Sequence, residues 1–184
     1  MTEPLPNSDW TNKPEWVSLR KSVFKNMATF NQRKEDWNKA LENFKVALKL
    51  DSSPINPDPL GAANTSLTCA VILSKLNKYA ESIDYAQACM GAIEEMGNID
   101  KSVPLSVYKQ QIQKNGTKSN GGKMQEHDKM MTTYSICLHL LGKNLANLKY
   151  FKESKVFLQR AQYVASHLTT EPKEDLVRTI ASDI

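Results

Sequence analysis

The stretch Asp36 to Leu50, DWNKALENFKVALKL, limits the possible fold more than any other part of the chain. Trp37, Ala40, Phe44 and Ala47 alternate large and small at helical spacing, and Leu41, Leu48 and Leu50 complete one apolar face. Alanines at 40 and 47 let a second helix come close, while the aromatic residues fill the gaps beside them. The same order recurs twice. In KYAESIDYAQACM the places are held by Tyr79, Ser82, Ala86 and Cys89, and in YFKESKVFLQRAQYV by Phe151, Ser154, Leu158 and Ala161. A partner helix is expected upstream of each, with Met27-Ala28, Cys69-Ala70 and Leu141-Gly142 in corresponding places. Three such helices in phase predict three antiparallel helix hairpins.

This pattern resembles the second helix of the tetratricopeptide repeat (TPR), which runs aromatic, then A-x3-F, then Ala, with a proline near the end. Leu141-Gly142 matches the Leu-Gly pair of the family's first helix, whereas Ser52 stands at the expected proline. The resemblance covers about 21–168. It implies an all-α chain of antiparallel helix-hairpin repeats stacked as a short right-handed α-solenoid, closed by a C-terminal capping helix.

Read in order, 1–13 is a polar arm with Pro4 and Pro6, expected to be extended. Trp10 within it either caps the exposed end of the first hairpin or anchors the arm to another protein. A TPR-like domain should occupy 14–184, with hairpins at about 14–50, 60–96 and 124–168. The first helix is expected to start near Pro14 and to bury Trp16, Leu19, Val23, Phe24, Met27 and Phe30. Pro54, Pro57 and Pro59 exclude helix between the first two hairpins. An inserted basic loop is expected at 98–122, with a short helix possible over 104–113 and a linker composition over 114–123. The third hairpin opens with a long helix from about Met124, striped by Met124, Met130, Met131, Tyr134 and Leu138. A helix over 171–182 should cover the last hairpin with Leu176, Val177 and Ile180.

The chemistry of catalysis is missing. No phosphate loop, dinucleotide fingerprint, GxSxG or HExxH is present. Glu126-His127-Asp128 are consecutive on a helix and point apart, so they cannot converge on a metal or a proton. Cys69, Cys89 and Cys137 lack CxxC spacing and read as small core residues in a reducing compartment. No enzyme activity, cofactor or metal is expected. No apolar run reaches the length of a membrane span, and the start of the chain lacks a basic-then-apolar leader, so a cytoplasmic location is expected. The net charge is +4, yet the five lysines at 101, 109, 114, 118 and 123 stand in a stretch without an acid, so the remainder is close to neutral.

The TPR resemblance implies an interaction module that holds a partner segment on its concave face. The expected role is a non-catalytic scaffold or adaptor, a fixed subunit of a large cytoskeletal or ciliary assembly being one form of it. From the aligned first helices that face should carry Lys25, Asn26, Thr29 and Arg33 in the first hairpin. Asn64, Thr68, Val71 and Lys75 follow in the second. Ile136, His139, Leu140, Lys143 and Asn147 complete it in the third. Four of these are basic and none is acidic, which suits a protein partner with an acidic segment. Secondary contacts are expected from Trp10, Lys109, Lys114, Lys118 and Lys123. The clamp that some three-repeat members close on the C-terminal carboxylate of chaperones is excluded: its places hold Lys25, Thr29, Thr68, Ile136 and Leu140, of which Lys25 alone fits. Two alternatives stand beside this reading. A basic RNA- or ribosome-associated factor would use 101–123, but Tyr108 is the one aromatic available there for stacking. A peptide-sensing regulatory subunit of an enzyme is the other.

Overall fold

Three turns of the same geometry organise the described residues. The structure, a computed structural model, describes residues 13–97, 99, 121–168 and 173–183, with no side chains described for 121–127 and 173. Among these residues are seven helices: α1 Pro14–Arg33, α2 Trp37–Asp51, α3 Pro59–Lys75, α4 Tyr79–Gly97, α5 Gly121–Asn147, α6 Phe151–Ser166 and α7 Lys173–Ala181. Three residues join α1 to α2, α3 to α4 and α5 to α6. The middle one is left-handed each time: Glu35 at φ 59°, Asn77 at 59° and Lys149 at 68°. The amide of the last turn residue reaches back five positions, from Asp36 to the Asn31 carbonyl (3.0 Å), Lys78 to Leu73 (2.9 Å) and Tyr150 to Leu145 (2.9 Å). The carbonyl of that same residue then accepts the next helix's first bond, from Ala40, Ser82 or Ser154. Turn and packing are thus in phase, because those three donors are the first small position of each copy.

The small positions are buried as their spacing predicts. Ala40, Ala47, Ser82, Cys89, Ser154 and Ala161 are all in the interior, as is Ala86 at the place of Phe44. The upstream partners Ala28, Ala70 and Gly142 are buried too. Gly142 shows how close the helices come: a Cβ there would sit 2.6 Å from Leu158 Cγ. The aromatic position is less uniform. Trp37 and Tyr79 are half-buried, but Phe151 is 67% exposed and fills no gap.

The chain forms two compact units, Met1–Ala62 and Ala63–Ile184. In the first, α1 packs on α2 around Val17, Ala28, Ala40, Leu41, Phe44 and Ala47. In the second, α4 packs on α5, α5 on α6 and α6 on α7. Its core includes Ala70, Cys89, Ile93, Tyr134, Cys137, Leu138, Leu141, Val164 and Ile180. Of the α5 stripe, Met131, Tyr134 and Leu138 are buried and Met130 is half-buried, while the Met124 side chain lies outside the described set. A polar junction ties three helices here. Buried Asn144 donates from Nδ2 to Ser82 Oγ (2.7 Å) and accepts from Ser74 Oγ (2.8 Å), while Ser82 Oγ donates to the Ala70 carbonyl (2.6 Å). As expected, Ile180 is buried in the α7 cap, with Leu176 and Val177 packed beside it.

One expectation is reversed. Trp16, Leu19, Val23, Met27 and Phe30 are not buried by α1 but are 42–57% exposed. The seam toward α2 is instead the face of Val17, Lys21, Phe24 and Ala28. The physical reason is Ala28, the small residue equivalent to Ala70 and Gly142. It admits the partner helix on its own side, and steps of four, seven and eleven residues back from it give 24, 21 and 17. A smaller difference concerns α5, which begins at Gly121, three residues ahead of the expected start and inside the stretch read as linker. Residues 1–12 of the expected arm, with Trp10, lie outside the described residues, as do 98 and 100–120 of the expected basic loop, with the short helix over 104–113 and Lys109, Lys114 and Lys118; so does the Lys123 side chain.

Candidate interaction surface

A buried carboxylate accounts for Lys25. Asp51 closes α2 with its side chain fully buried, and two lysines of α1 reach it: Lys25 Nζ is 2.9 Å from Oδ2, and Lys21 Nζ is 3.2 Å from Oδ1. Lys21 also pairs with Asp58 at 3.1 Å, and Asp58 caps the first turn of α3 by accepting the Gly61 amide at 2.8 Å. Burial pulls the Lys21 ammonium down, but its bonds to Asp58 and Asp51 outweigh this and raise it above its usual range. Burial pushes the Asp58 carboxyl up, but the Gly61 amide and Lys21 bring it below the usual carboxylate value. Lys25, expected as an open partner-binding lysine, is therefore engaged inside its own unit. A charge reversal at 25 would set a second carboxylate against buried Asp51.

The other expected face residues are placed as follows. Asn26, Thr29 and Arg33 are exposed on α1, and the Thr29 hydroxyl donates to the Lys25 carbonyl (2.9 Å). Within the second unit, the Asn64 side chain accepts from Thr133 Oγ1 at 2.9 Å and the Thr68 hydroxyl donates to the Asn64 carbonyl. Val71, Ile136 and Leu140 pack half-buried against the core, and Lys75 and Asn147 are exposed. His139 and Lys143 are drawn together by the C-terminal segment: His139 Nε2 lies 2.7 Å and Lys143 Nζ 3.2 Å from Asp183 Oδ2. Burial pushes the Asp183 carboxyl up, but these two partners outweigh it and hold it below the usual range. Residues 64 to 147 of the set belong to the second unit and Lys25 to Arg33 to the first.

The stripe that was expected to be buried leaves five large apolar side chains exposed on α1. Positions 16, 19, 23, 27 and 30 share one side of α1 over about 20 Å of helix. Beside its C-terminal end, α1 and α2 enclose an open groove of about 590 Å³ lined by Asn26, Met27, Phe30, Asn31, Lys39, Glu42 and Asn43. Lys34 Nζ stands 4.5 Å above the Phe30 ring. Contiguous exposed apolar side chains of this size mark contact sites more often than solvated surface.

No cluster of three or more His, Cys, Asp or Glu among the described residues could hold a metal ion. The three cysteines are buried and unbridged. Asp128 is buried, and the Glu126 and His127 side chains are outside the described set. Among the described residues no helix is long and apolar enough to cross a membrane. No family model matches the chain, and no curated protein matches it.

Proposed function

We propose that the protein is a non-catalytic protein–protein interaction module, a scaffold or adaptor built of TPR-like helix hairpins. The observation that carries this reading is the exposed stripe Trp16, Leu19, Val23, Met27 and Phe30, with a groove at its end. With about half of each of these five large apolar residues in water, a partner helix covering them would recover on the order of 1 kcal/mol each, half of the value for full burial. The hairpin reading draws support from three identical turns in phase with three small-residue seams. Of the residues first expected to bind a partner, Lys25, Asn64, His139 and Lys143 already hold side-chain contacts within their units, which moves the weight to the exposed apolar stripe of α1.

Affinity purification with mass spectrometry tests this, comparing the native chain with a Leu19→Ser, Val23→Ser, Phe30→Ser variant. These side chains are exposed, so circular dichroism should be unchanged while specific partners are lost. Identical partner sets from a folded variant would remove α1 as the binding surface.

A further inference from the structure

We propose that the occupant of the α1 stripe is an acidic amphipathic helix of another protein, laid along α1 with one large apolar side chain in the groove beside Met27 and Phe30; this rests on the interaction-module reading. The spacing 16-19-23-27-30 is that of a single helical seam, which fits a second helix better than an extended peptide. The border of the seam is basic. Lys13, Arg20, Arg33 and Lys34 are exposed there, and Glu15 is the one acid of α1. Lys21 and Lys25 do not contribute, since Asp51 and Asp58 already neutralise them. A helix with carboxylates beside both ends of its apolar side therefore meets cations at both ends of the seam, where Lys13, Arg20, Arg33 and Lys34 outnumber Glu15 and the groove's Glu42. A second copy of the chain does not, because pairing α1 with α1 sets cations against cations. An anionic membrane would meet the same cations, but the groove also presents Asn26, Asn31, Asn43 and Glu42. Lipid tails offer these groups no hydrogen bonds, whereas a polypeptide does.

The test places the photo-crosslinking residue p-benzoylphenylalanine at Leu19 or Phe30 of the full chain in cells and sequences the cross-linked peptides. The expected products come from a different protein, carry apolar residues at i, i+3, i+4 and i+7, and are net negative. Their yield should fall about tenfold when Arg20→Glu and Lys34→Glu are added, with helicity unchanged. Cross-links to lipid, to a second copy, to residues 1–12 of the same chain, or to segments that are not acidic helices would each overturn the proposal. So would the absence of cross-links from a chain that still co-purifies with proteins, an outcome that leaves the interaction-module reading standing. If no protein co-purifies at all, both readings fail.

Discussion

Lys25 and Asp51 form an ion pair of 2.9 Å in which the carboxylate is fully buried at the end of α2 and the lysine is drawn in from the middle of α1. A carboxylate without water depends on its cations, and Lys21 supplies the second.

This pair gives the first prediction. Lys25→Glu should destabilise the protein by about 3 kcal/mol, since it both removes a cation and adds a like charge beside a buried one. Lys25→Met, which keeps the aliphatic stem, should cost less. Urea denaturation followed by circular dichroism checks both, and equal midpoints for all three proteins would contradict the burial of Asp51.

A second prediction concerns pH. Asp58 has a folded pKa below its ordinary value of 3.8, so its contribution is complete above that value and lost as pH falls through the lower folded one. Lys21 is raised above 10.5, so its contribution is complete below that value and lost as pH rises through the higher folded one. The stability difference between the native chain and Asp58→Asn should therefore stay constant from about pH 5 to 9 and shrink below about pH 4. Thermal melts across that range measure it, and a difference that persists undiminished at pH 2 would refute the assignment.

The third prediction tests the close approach of α5 and α6. Gly142→Ala places a methyl group against Leu158 and should cost about 1–3 kcal/mol. Ala161→Trp, at another buried seam position, should cost more. Unchanged melting temperatures in both would show that the helices do not meet this closely.

The turns supply a fourth. Glu35 and Lys149 hold a left-handed backbone that glycine adopts without a Cβ clash. Lys149→Gly and Glu35→Gly should each stabilise by roughly 0.5–1 kcal/mol, whereas Asn77→Gly should gain less, because asparagine tolerates this region. Loss of stability in the first two would mean that their side chains contribute packing not visible in the turn geometry.

Much of the framework is legible in the residues, and for a local reason. Helix ends follow from Pro14, Asp36, the three prolines after Ser53 and Gly97, which act over a few residues. The small seam positions follow from a 3.6-residue period and recur three times, so Ala40, Ser82 and Ser154 emerge together. The face of α1 is misread when size is weighed above position: the large residues 16, 19, 23, 27 and 30 have the stronger pattern, yet Ala28 decides the seam. That signal is present in the correspondence of Ala28 with Ala70 and Gly142. The polar links are not legible. Asp51 with Lys21 and Lys25, Asn144 between Ser74 and Ser82, and Asp183 on His139 and Lys143 join residues 26 to 70 positions apart, and no local pattern selects those partners. The same lack of local signal makes Lys25 and His139 look available when they are engaged.

The most direct measurement is hydroxyl-radical footprinting of the full chain, alone and in its purified complex. Trp16, Met27 and Phe30 are exposed and carry reactive side chains, while Met96 and Tyr150, exposed in the other unit, serve as references. Binding through α1 predicts that oxidation of Trp16, Met27 and Phe30 falls several-fold in the complex while Met96 and Tyr150 react as before. Equal oxidation of the three α1 residues in both states, with protection elsewhere, would contradict it.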